Sequence, residues 1–181
     1  MGFGYKTAWL AAPTASPKAV ADALDLRRRT SLPWREGTGA AYEQGVFIAR
    51  PVPDWTLAHG RTHLIDELEA PGPRFPDWLR HLSDQLGEVQ FFLNDRSSGH
   101  FSWARAVAGE ITRAYYYGDM TVFRDLGEPT DIERGFDAAT PYEQHVMRVA
   151  RSWSISPDDI PDDSVTASGI YGFPPGVEPR P

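Results

Sequence analysis

Apolar and polar positions alternate most densely between Glu88 and Asp125, where short runs of Val, Ile, Phe, Tyr and Trp are divided by turn-forming residues. The runs 89–93, 101–107, 111–117 and 120–124 predict the four strands of an antiparallel meander. Asn94 to Gly99 supplies a polar loop, Ala108-Gly109 a two-residue hairpin, and Gly118-Asp119 a second tight turn with glycine at its first central position. Counting outward from those turns, with Val107 facing Glu110 and Tyr117 facing Met120, assigns every side chain to one of two surfaces.

The expected core face carries Val89, Phe91, Leu93, Ser102, Ala104, Ala106, Ile111, Arg113, Tyr115, Tyr117, Met120 and Val122, with small residues in the second strand that let a helix lie close. The opposite face carries Gln90, Phe92, Phe101, Trp103, Arg105, Thr112, Ala114, Tyr116, Thr121, Phe123 and Asp125. Large rings beside hydrogen-bonding and charged groups are the mixture that binding pockets and interface anchors use. Gln90, Phe92, Phe101, Trp103, Arg105, Tyr116 and Phe123 are therefore the candidate ligand- or partner-binding residues. A second layer that simply buries this face is the competing expectation, and a slip of one residue at either hairpin exchanges part of the two sets.

Outside the meander, Tyr5 to Ala11 predicts a strand, and Ser16-Pro17 opens a helix with an N-cap residue before a proline at the first helical position. The polar, glycine-containing stretch from Leu26 to Gly45 predicts a long loop around Trp34. Strands are expected at 46–49 and 55–59, a helix from Thr62 to Glu69, and a stronger helix from Pro76 to Leu86. That last helix has Phe75, Trp78, Leu79, Leu82 and Leu86 as its apolar stripe and Gly87 as its stop. Thr140-Pro141 and Ser156-Pro157 open two further helices, the first with Val146, Val149, Ala150 and Trp153 on its apolar side. The whole predicts an α+β fold: an antiparallel sheet built around a four-stranded meander, helices on one face, and an N-terminal βαββ portion. An opening β-α-β-β-α-β order is also compatible with a split β-α-β half. Residues 1–173 are expected to form one domain, with Ile170, Tyr171 and Phe173 pinning the end of it and 174–181 a flexible tail.

Composition narrows function by exclusion. At 181 residues and 41% hydrophobic the chain can bury one substantial core. A formal charge of −7 opposes nucleic-acid binding, for which the aromatic strands would need a clustered basic surface. The one basic run, Arg27-Arg28-Arg29, falls where a short helix is expected to end. Cysteine is absent, which removes disulfides and thiolate chemistry. No apolar run approaches the roughly 18 residues of a membrane span, so no membrane role is expected and the localisation expected is cytoplasmic, in a bacterial source.

Candidate chemistry is sparse. His59 and His63 stand four apart with Asp66, Glu67 and Glu69 beyond, but a helix cap at Thr62 would leave His59 outside the helix, so no metal is expected. His100 sits at the mouth of the aromatic strands without a nucleophile or acid beside it. Asp158-Asp159 and Asp162-Asp163 read as helix-end and loop charges. Neither a phosphate loop nor a nucleophile elbow is present, and no cofactor is expected. Two function classes remain. One is a non-enzymatic protein-binding protein, immunity-like or inhibitor-like, with an acidic surface that favours a basic partner. The other is a small-molecule-binding protein or metal-independent enzyme with a pocket over the same face.

Overall fold

The computed structural model describes residues 6–13, 15–61, 63–64, 73–136, 141–160 and 165–180. Nine strands lie within them: β1 (Lys6–Pro13), β2 (Arg27–Pro33), β3 (Val46–Val52), β4 (Trp55–Gly60), β5 (Glu88–Asp95), β6 (His100–Val107), β7 (Glu110–Gly118), β8 (Thr121–Leu126) and β9 (Ser168–Phe173). The helices are α1 (Pro17–Ala23), α2 (Trp34–Glu43), α3 (Phe75–Leu86), α4 (Asp131–Arg134) and α5 (Glu143–Trp153), with a single 3-10 turn at Pro157–Asp159. All nine strands join one sheet in the order β2-β9-β3-β4-β1-β5-β6-β7-β8. Each neighbouring pair is antiparallel, so no split β-α-β half forms. The fold is α+β, and among the described residues no helix is long and apolar enough to cross a membrane.

Helices cover both faces of this sheet, not one. On the first face α1 and α3 bring Val20, Phe75, Leu79 and Leu82 against Ala8, Leu10, Ile48, Phe91 and Ala104. On the second, α2 and α5 bring Trp34, Ala41, Val146, Val149 and Ala150 against Trp9, Phe47, Leu57, Phe92 and Trp103. The sequence cause is visible in adjacent apolar pairs, Trp9-Leu10, Phe47-Ile48 and Phe91-Phe92, whose members point to opposite faces and are all fully buried. Burying each large side chain contributes about 1.5–3 kcal/mol, so one such pair stabilises two layers at once.

Local signals behave as expected in several places. The Ser16 hydroxyl accepts from the Ala19 N–H at 3.1 Å and caps α1. Phe75, Leu79 and Leu82 of α3 are buried, and the helix stops at Gly87. The expected helix from Thr62 to Glu69 falls largely outside the described residues, whereas the helix expected to open at Thr140-Pro141 begins two residues later, at Glu143, with Tyr142 as its N-cap.

The stretch from Leu26 to Gly45 differs from the expected loop. Arg27–Pro33 is an edge strand, so the arginine run does not end a helix, and Trp34–Glu43 is helical. Two glycines make α2 a weak helix by propensity, yet burial of Trp34, Gly37 and Ala41 against the sheet supplies what propensity lacks. Gly37 is required there because a Cβ would overlap the Phe47 ring. Near the C-terminus, Ser168–Phe173 is a full strand between β2 and β3. Beyond it Glu178 pairs with Arg28 at 2.6 Å, and the Arg180 N–H donates to Gln44 at 2.8 Å.

The meander forms with two corrections to its register. Ala108-Gly109 is the hairpin turn, and Val107 faces Glu110 as counted. Ala106 then faces Ile111 while Arg105 faces Arg113, leaving Thr112 as a bulge residue without a partner. At the next hairpin the turn is Asp119-Met120, both with positive φ as a type I′ turn requires, so Gly118 faces Thr121. A second bulge leaves Phe123 extra between the pairs Tyr117–Val122 and Tyr116–Arg124.

Candidate functional site

Those bulges redistribute the seven candidate residues. Beyond Thr112 the side chains of β7 exchange faces, so Arg113, Tyr115 and Tyr117 join Trp103 and Arg105, while Ala114 and Tyr116 join Ala104 and Ser102. Tyr116 and Phe123 stack at 5.2 Å on the α3 face, beside His100. They are therefore separated by the sheet from the other five.

Those five divide again. Gln90 and Phe92 are wholly buried under α5: the Gln90 amide donates to the Trp153 carbonyl at 3.2 Å, and the Phe92 ring lies 5.1 Å from Trp9 and 5.9 Å from Trp153. Arg105 spends its guanidinium on a two-pronged pair with Glu88 at 2.9 and 3.1 Å, which also accepts from Gln90 at 2.8 Å. Phe101 is buried opposite Tyr117. Trp103 lines a cavity.

That cavity, about 210 Å³, lies where β6, β7 and β8 meet α4 and the start of α5. Trp103, Tyr115, Phe136 and His145 give it aromatic walls, with Val122, Pro129 and Pro141 at its sides. Trp103 stacks on Tyr115 at 4.5 Å and Phe136 on His145 at 4.2 Å. Beneath them is a buried ion cluster. Arg113 donates through Nε to Glu133 at 2.8 Å, and through Nη1 to Asp125 at 2.5 Å and to the carbonyls of Leu126 and Gly127 at 2.9 and 3.1 Å. Its Nη2 lies 2.7 Å from Glu133. The other Glu133 oxygen accepts from the Thr130 N–H and hydroxyl at 2.8 and 2.6 Å, closing a capping box on α4, while the Trp103 indole donates to the first at 2.7 Å.

The Arg113 and Glu133 side chains are only 5% and 4% exposed, so the pair is desolvated and must be fully hydrogen-bonded to persist. Burial alone would raise the Glu133 pKa; the hydrogen bonds from Arg113, Thr130 and Trp103 outweigh it and hold the carboxyl below its ordinary value. For Tyr115, burial first and the Asp125 charge second push the phenol up, which keeps it neutral. One guanidinium serves two carboxylates, which leaves the cluster one negative charge in excess.

The histidines take separate places. His59 lies near the end of β4, fully buried edge-on to Phe47, and burial pushes its pKa down to about 3. His63 accepts at Nδ1 from the Gly45 N–H at 3.3 Å, and Asp66, Glu67 and Glu69 lie outside the described residues. Among the described residues no group of three His, Asp or Glu side chains could hold a metal ion. His100 stands 3.6 Å from Asp119 at the β7–β8 turn.

Five large apolar side chains are exposed among the described residues: Met120 (91%), Val122 (47%), Phe123 (55%), Leu126 (45%) and Tyr142 (62%). Four sit on β8 or its turn, and β8 is a terminal strand of the sheet. The fifth, Tyr142, stands 5.9 Å from His145 at the rim of the cavity. No family model, curated protein or solved structure matches this chain. The chemistry of the β8 edge and its cavity therefore carries the functional interpretation. Of its members, the Thr130-x-x-Glu133 spacing was readable as a helix start in the sequence, whereas Arg113 reaches the site through a bulge that no turn residue announces.

Proposed function

We propose that the protein is a binding protein, of the inhibitor or immunity kind, that takes an extended basic segment of a protein partner along the β8 edge by strand addition. What supports this is the gathering of Met120, Val122, Phe123 and Leu126 on one terminal strand, with side chains on both of its faces. An exposed apolar edge is a template for another strand, and chains without a use for one blunt it. Strand addition gives affinity through main-chain hydrogen bonds and specificity through alternate side chains, which fits an edge with a cavity on one face and the Tyr116–Phe123 stack on the other.

Charge selects the partner's chemistry. Residues 119–136 hold five acids, Asp119, Asp125, Glu128, Asp131 and Glu133, against Arg124 and Arg134. A basic segment is attracted by this acidic surplus, which a second copy of this chain would repel. The cavity, at about 210 Å³, is smaller than the roughly 300–1,000 Å³ of sites that enclose a whole cofactor or drug-sized ligand, so it suits a side chain better than a free metabolite.

The test is selection from a displayed library of random peptides long enough to span the six residues of β8, run in parallel on wild type and Val122→Pro. Gly118 and Thr121 flank a two-residue turn, which makes the next pair, Tyr117 and Val122, the one whose Val122 N–H points away from β7. Proline at such an edge position spares the fold and blocks strand addition. Basic, β-branched sequences should be enriched on wild type alone. Equal enrichment on both proteins, or enrichment of acidic sequences, would overturn the proposal.

A further inference from the structure

The cavity beside β8 has a chemistry more specific than the edge itself. Its walls are two stacked aromatic pairs, Trp103 with Tyr115 and Phe136 with His145, whose faces attract a cation. At its side stands Asp125, with its side chain half-exposed and one oxygen held by Arg113. The cation already present is saturated: Arg113 serves Glu133, Asp125 and two backbone carbonyls, so it has little left to offer an incoming anion. Two carboxylates around one guanidinium leave a negative excess. The His145 Nδ1 accepts from the Tyr142 N–H at 3.2 Å. Arg148 lies over Phe136 at 4.9 Å but does not line the cavity.

From this geometry we infer that the cavity is a specificity pocket for an arginine side chain of the partner segment, the guanidinium lying against the Trp103–Tyr115 stack and pairing with Asp125. It rests on the strand-addition proposal for its orientation. Val122 and Asp125 of β8 border the cavity, so alternate side chains of a strand laid beside β8 point over its mouth. A planar guanidinium stacks on the aromatic wall while it pairs with the carboxylate, whereas a lysine ammonium meets both only as a point charge.

The experiment uses capped single residues, so it does not need strand addition. N-acetyl-arginine methylamide, its lysine counterpart and its citrulline counterpart are titrated into the whole protein while the Trp103 indole N–H resonance, assigned with Trp103→Phe, is followed by NMR. Citrulline keeps the shape of arginine without its charge. The arginine probe should shift the Trp103 signal saturably and bind roughly tenfold tighter than citrulline. Asp125→Asn should remove that preference; it also takes a counter-charge from Arg113 and so lowers the thermal midpoint, and an unchanged unliganded spectrum outside the cavity shows that the fold is kept. Phe123→Ala, on the opposite face of β8, should leave it in place. Equal shifts from arginine and citrulline, or tighter binding of lysine, would overturn the pocket. If peptides still pair with β8 in that case, strand addition stands and the pocket alone fails; if arginine binds while no peptide distinguishes Val122→Pro from wild type, the reverse holds.

Discussion

The sheet ends in two edges of opposite character. At β2 the outermost strand carries Arg27, Arg28 and Arg29, has a register shift between Arg27 and Thr30, and finishes in Pro33. Its arginines are tied to Asp25, Glu178 and Asp22, and none of the large exposed apolar side chains lies there. Irregularity β2 shares with the bulge at Phe123 of β8; the arginine run and the proline, ordinary means of closing an edge to further pairing, are its own. At β8 the outermost strand has no proline, carries Val122, Phe123 and Leu126 in the open, and is braced from inside by Arg113. An edge left sticky on one side of a sheet, when the other side is closed, is a surface with a use.

The comparison can be strained hardest at the brace. Glu133→Gln leaves Arg113 buried with half its counter-charge, and should cost about 3–5 kcal/mol in urea unfolding. Amide exchange should rise first in β8, while β2 keeps its protection. A loss confined to α4 would show that the ion cluster does not secure the edge.

Acid separates the two sides by pH. His59, on the β2 side of β1, has a folded pKa of about 3, so between its ordinary 6.5 and that value only the unfolded chain takes up the proton. Its penalty is absent above 6.5 and grows as the pH falls. Glu133 acts lower: its folded pKa is depressed, so its contribution is complete above its ordinary 4.5 and is lost as pH falls through the folded value. His59→Leu should recover roughly 2–3 kcal/mol of the stability lost between pH 6.5 and 4.5, and below 4.5 leave in place the part of the decline that belongs to Glu133. Denaturant titrations across that range check both statements.

Smaller effects are expected at the surfaces. Phe123→Asp should weaken any peptide selected on β8 by about tenfold or more, and cost folding about 0.5–1.5 kcal/mol through the lost stack on Tyr116. Calorimetric titration beside thermal unfolding reads the two together. Arg28→Ala, which removes an exposed pair with Glu178, should leave both the unfolding midpoint and peptide affinity unmoved. A binding loss from that change would place the partner at the wrong edge.

How much of this was legible depended on whether a feature is local. The turn at Ala108-Gly109, the Ser16 cap and the α3 stripe are written in neighbouring residues, and they form where those residues predict. Both bulges are tertiary choices: nothing in Thr112 or Phe123 demands an unpaired position, yet each moves the rest of its strand by one residue. Thr112 moves Arg113 from the expected core surface to the ion cluster, and Tyr116 away from Trp103. The same limit hid α2, whose Gly37 weakens the helix in isolation and is indispensable once the Phe47 ring lies against it. Helices on both faces were signalled by Phe91-Phe92, a doublet that a sheet with one dry side has no reason to carry.

Strand β9 has a kinetic consequence. It lies between β2 and β3, so residues 168–173 must thread between segments made more than a hundred residues earlier before either finds its neighbour. Pairing across such separations is paid for in loop-closure entropy before any contact forms, which places this sheet among the slower folders. A growing chain that has not yet released Phe173 from the ribosome carries two raw strand flanks where the finished protein has none, and chaperone protection would matter most during that interval.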